Sequence, residues 1–122
     1  MERTFFILGT LSAFIAVAAG AFGAHTLKTQ ISTEMLVIFE TAARYQMYHA
    51  VALIVAAWAN TRFSGSLATI AGYLFVVGTI VFCGSLYALS LTEIKWLGAI
   101  TPLGGVAFLS GWLCLAYAAW RS

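Results

Sequence analysis

At 122 residues, 62% of them hydrophobic and only 8% charged, the chain sits far from ordinary globular domains, where about 25% of residues are charged. It reads as an integral membrane protein: a hydrocarbon core of about 30 Å takes roughly 20 apolar residues per helix, which leaves room for four crossings and no soluble domain. The six basic residues behind the formal net charge of +2 are scattered, so the pattern excludes a nucleic-acid-binding patch.

The expected fold class is an all-α membrane protein, an antiparallel four-helix transmembrane bundle built as one domain over 1–122. Its spans are placed at about 5–24, 35–59, 67–89 and 97–120. The first apolar run, Phe5 to Ala24, follows Arg3 and ends near Ala19-Gly20-Ala21. It exceeds the 7 to 15 residues of a typical signal core, so it is expected to be retained as span one. Ala16, Ala19, Gly20, Gly23 and Ala24 recur at spacings of three and four, a pattern that lets a second helix backbone come close. His25 and Lys28 follow, and Ser32 or Thr33 is the expected N-cap of span two, with Glu34 in its first turn.

Span two runs without proline or glycine from about Thr33 to Ala59 and carries most of the polar chemistry. Glu40, Arg44 and Tyr48 form one stripe at helical spacing; Thr41, Tyr45 and His49 form another about 100° away. With Gln46 these make a polar cluster at membrane depth, where ionisable side chains require partners. Glu40 and Arg44 stand one turn apart in a favourable order, so an ion pair between them is expected, fixing the rotation of the helix. Arg44, with Lys28, is the contact for an anionic lipid if the face binds one. His49 is expected to be neutral and hydrogen-bonded across helices, with Ser85 or Tyr87 as partner; His25 is a further candidate contact. A proton relay through His49 is the sharper alternative.

After a break at Asn60 to Gly65, span three carries Gly72, Gly78 and Gly84, and the short segment Ser90 to Lys95 forces an antiparallel neighbour. In span four Thr101-Pro102 is a start signal, with Thr101 expected as N-cap and Pro102 at the first helical position. Trp96 to Ile100 then forms a short interfacial or re-entrant piece. Gly104, Gly111 and Ala118 recur every seven residues as a close-packing seam. Cys83 and Cys114 fall within spans and have no metal-ligand or redox spacing, so both read as packing residues. His25 and His49 lie at different depths, which argues against a shared haem or metal. The chain has no Asp and no phosphate-cradling loop; no cofactor and no catalytic residue is expected.

Arg3, Arg62 and Arg121 fall on one side and Lys28 and Lys95 on the other, which favours both termini in the cytoplasm. Trp58, Trp120, Phe5 and Phe6 suit an aromatic belt on that same side.

Four stretches in order resemble the domain-of-unknown-function 423 family: Gly20 to His25, Phe39 to Ala50, Phe82 to Tyr87, and Trp96-Leu97-Gly98 with Thr101 to Gly105. The family comprises small bacterial inner-membrane proteins with animal relatives called transmembrane protein 256. The resemblance covers nearly the whole chain and implies a four-span membrane protein without supplying an activity. Thr26 stands where the family pattern commonly has glycine, and Cys83 where it commonly has serine; neither touches the polar stripes. The expected role is a non-enzymatic structural or accessory protein in the bilayer, as a homo-oligomer or as a subunit of a larger complex. A small transporter or channel component, or an anionic-lipid binder, is the alternative.

Overall fold

The computed structural model describes all of residues 1–122 and is all-α. Helix α1 (Glu2–His25) is followed by a 3-10 turn at Leu27–Thr29 and by α2 (Thr33–Arg62). The third rod consists of α3 (Leu67–Gly78), a π-helical turn at Thr79–Cys83 and α4 (Gly84–Thr92). A second 3-10 turn, Lys95–Ala99, leads into α5 (Thr101–Trp120).

Local sequence explains the ends. Ser32 caps α2, its hydroxyl accepting from the Met35 N–H at 3.2 Å, which satisfies one of the donors a helix start leaves orphaned. Gly65, at φ +91°, allows the sharp turn between α2 and α3. Helix α5 starts one residue earlier than expected: Ile100 is the flanking residue, and Pro102 sits inside the first turn, where its missing N–H leaves no bond unmade. The Thr101 hydroxyl is engaged with Ser85 Oγ at 2.6 Å and so ties α5 to α4.

Three segments, Glu2–Thr29, Leu67–Thr92 and Lys95–Trp120, are long and apolar enough to cross a membrane. Helix α2 is the longest single element at 30 residues, and it is also the centre of the bundle. Its buried side is largely alanine, including Ala42, Ala52, Ala56 and Ala57, packed with Phe5, Leu53, Ala71, Phe75, Cys83 and Phe108. Small side chains on the central helix let the outer helices approach closely, and in lipid that packing replaces the hydrophobic drive that water supplies elsewhere.

The close approaches differ in part from the expected seams. Gly23 faces the Phe39 ring, Gly104 faces the Phe82 backbone and Gly111 faces the Phe75 ring. Gly20 and Gly84, also expected to pack, have nothing within 4 Å of where a Cβ would stand. The buried stripe of α1 is Phe5, Gly9, Ala16 and Gly23; Gly20 lies on the same side but is only half-buried and meets no neighbour. Gly9, against the Ala50 carbonyl oxygen and Leu53, Gly72, against the Phe5 ring, and Gly78, against Phe108, are the positions that replace them.

Candidate functional site

The polar residues of α2 divide between opposite faces. Gln46 and His49 point inward and are 6% and 5% exposed. Arg44, Tyr45 and Tyr48 are exposed, and Glu40 is half-buried.

Gln46 joins three helices. Its amide nitrogen donates to the Ser12 hydroxyl at 3.2 Å and the Ser12 carbonyl at 3.3 Å on α1, and its amide oxygen accepts from the Tyr87 hydroxyl at 2.7 Å on α4. Tyr87 also meets the Phe39 ring edge-on at 5.1 Å. Tyr87 was the expected partner of His49; it is a partner of Gln46 instead.

His49 bonds to α5. The Trp112 indole N–H donates to Nε2 at 3.1 Å, and Nδ1 lies 2.8 Å from the Tyr45 carbonyl. An indole only donates and a carbonyl only accepts, so the pair of bonds selects the neutral imidazole with its proton on Nδ1. The ring stacks on Phe108 with centroids 3.5 Å apart and planes 7° from parallel. Ser85, the other expected partner, bonds Thr101 and the Phe82 carbonyl. His25 is exposed at the end of α1 and is not gathered into the cluster.

The expected ion pair is not formed. No carboxylate oxygen lies within 4.0 Å of a cationic nitrogen anywhere in the chain. Glu40 and Arg44 therefore stand one turn apart on the outer side of α2 without a partner. They continue into Tyr48 as an i, i+4, i+8 ridge, stepping round the helix by about 40° per turn.

Beside this ridge a groove opens between α2 and α5, with a volume of about 480 Å³. Tyr45 and Tyr48 form its wall on α2, Phe108, Leu109 and Trp112 its wall on α5, and Phe82 and His49 its floor; six of its eight lining residues are apolar. That lining suits hydrocarbon. Phe82 is carried on the π turn, whose Thr79 hydroxyl is the sole buried side-chain polar atom left without a hydrogen bond. A second cleft of about 520 Å³ lies at the other end of the bundle, between α1 and α2, lined by Arg3, Phe6 and Trp58 among others. None of the polar cluster reaches it.

No three His, Cys, Asp or Glu side chains gather where a metal ion would fit, and Cys83 and Cys114 are free thiols. Residues 19–105 match the model of a family described as protein of unknown function (DUF423). The chain belongs to this family. This DUF423 protein is 48% identical over 118 residues to the UPF0382 membrane protein YwdK of Bacillus subtilis, covering 96% of each chain. It is 47% identical over 119 residues to the UPF0382 membrane protein SAB0533 of Staphylococcus aureus, covering 98% of this chain and 97% of that one. A third relative, a UPF0382 membrane protein of Staphylococcus epidermidis, is 47% identical over 116 residues, covering 95% and 94%. No solved structure matches.

Sequence reasoning placed the cluster on α2 but missed Trp112 and Ser12, the two partners that orient it. Trp112 lies 63 positions from His49. The only trace in the sequence is an indole in mid-span rather than at an interface, where tryptophan is otherwise enriched.

Proposed function

We propose that the chain is a non-enzymatic structural or accessory protein of the bacterial inner membrane, working as a homo-oligomer or as a subunit of a larger membrane complex, with both termini in the cytoplasm. The observation that carries this reading is the division of α2 into two faces. Inward, Gln46 and His49 spend their hydrogen bonds on Ser12, Tyr87 and Trp112, which sets the rotation of the central helix and opens no polar path. Outward, Arg44 and Glu40 have no partner within the chain. A charge on a membrane helix is costly unless it reaches the headgroup layer or is paired, so a neighbouring subunit or an anionic lipid headgroup supplies the neutralisation. The basic residues Arg3, Arg62 and Arg121 at one end support the orientation. The membrane-protein names of the bacterial relatives support the location.

The test is native mass spectrometry of the protein released gently from its own membrane, paired with flux assays in proteoliposomes. A defined oligomer, or a stoichiometric companion subunit, is the expected result. A bare monomer whose pH-dependent flux disappears in His49→Ala would overturn the reading in favour of a transporter.

A further inference from the structure

Depth along α2 orders three features. Ten residues separate Arg44 from Glu34 and eighteen separate it from Arg62, about 15 Å and 27 Å of helix. A core of about 30 Å centred between those two ends leaves the Arg44 Cα about 9 Å inside the nearer boundary. Side chains on a helix lean toward its N-terminus, which for Arg44 is that same boundary, so the phosphate layer lies within reach of the guanidinium by snorkelling. Glu40 stands one turn, about 6 Å, further out. The groove begins one residue further in, at Tyr45, and continues past Tyr48 to Trp112.

From the midplane outward the order is therefore apolar groove, cation, anion. A phospholipid with an amino headgroup presents the complementary order: hydrocarbon chain, phosphate, ammonium. We propose that this groove and its ridge form a binding site for one such aminophospholipid. One acyl chain lies in the groove against Phe108 and Leu109, the phosphate sits on Arg44, and the primary ammonium sits on Glu40. The assignment rests on the outward role of Arg44 proposed above and narrows its ligand. A headgroup with only negative charge would satisfy Arg44 yet set its phosphate one turn from a carboxylate that still lacked a cation. A choline headgroup has no N–H to donate to Glu40. A second copy of the chain would pair the two charges crosswise, but a straight helix laid on the ridge bridges a concave apolar groove, whereas a flexible chain fills it.

The experiment reconstitutes the full chain in nanodiscs of equimolar phosphatidylethanolamine, phosphatidylglycerol and phosphatidylcholine, then counts the lipids retained by native mass spectrometry after release into mild detergent. One ethanolamine lipid per chain is expected, preferred over the other two by about tenfold, the scale of one charge-assisted hydrogen bond. Glu40→Gln should flatten that preference while leaving the fold intact, and Arg44→Ala should abolish retention of all three. If Arg44→Ala fails to fold, Arg44→Lys keeps the cation and should keep the preference, and Glu40→Gln still decides. Preferential retention of the glycerol lipid, unchanged by Glu40→Gln, would overturn the ammonium assignment while leaving Arg44 as an outward anion contact. Equal retention of all three by wild type and Arg44→Ala would overturn the site. A lipid-free dimer broken by Arg44→Ala would assign the face to a second copy instead.

Discussion

The two faces of α2 around its midpoint use similar residue types to opposite ends. On the inner face an amide and an imidazole are held by donors and acceptors from α1, α4 and α5, so every polar atom of Gln46 and His49 has a partner. On the outer face a carboxylate and a guanidinium one turn apart have none, and their ridge ends at Tyr48, in the wall of an apolar groove. The inner face shows how a mostly apolar bundle acquires a unique rotation for its central helix: a few neutral hydrogen bonds are specific where packing against lipid-like side chains is not. The outer face shows where the chain meets its surroundings. Neutral groups went inside, where their bonds are complete, and the charges went outside, where a headgroup or a neighbour can reach them.

If the comparison is right, the faces should respond to mutation very differently. The largest effect belongs to Gly104→Leu, because a Cβ there meets the Phe82 backbone and cannot be relieved by a side-chain rotation. We expect a loss of about 3 kcal/mol or more, read as a lower melting temperature in detergent. Gln46→Leu comes next: it removes the bonds to Ser12 and leaves the Tyr87 hydroxyl unpaired, for about 2 kcal/mol. Trp112→Phe keeps an aromatic ring but strips His49 Nε2 of its donor. A cross-helix bond of this kind is worth about 0.6 kcal/mol on average and about 1.7 at most, so a small but measurable loss is expected. Arg44→Ala, on the outer face, should change melting in detergent by no more than about 0.5 kcal/mol. Unfolding as severe as that of Gln46→Leu would show that the outer charges are structural after all and would collapse the distinction. Gly20→Ala should be neutral or slightly stabilising, since nothing stands within 4 Å and alanine favours helix over glycine by up to about 1 kcal/mol.

The sequence by itself determined that the chain is a helical membrane protein and that its polar chemistry is concentrated on one helix. Both follow from sums over local windows: runs of apolar residues long enough for a bilayer, and the polar residues between Glu40 and His49. The cap at Ser32 and the start of α5 to within one residue were legible for the same reason, since they depend on the chain within a turn or two. Only the tertiary structure decided which polar residues face inward. Arg44 and Gln46 are two positions apart, about 200° round the helix, so one of them had to face out. Hydropathy could not say which, because lipid tails and a membrane-protein core are equally apolar and leave no amphipathic signal to orient a helix. The same blindness explains why Gly20 and Gly84 read as packing positions while Gly9, Gly72 and Gly78 hold the close contacts. A small residue permits close approach, but only the partner helix determines whether the approach is made.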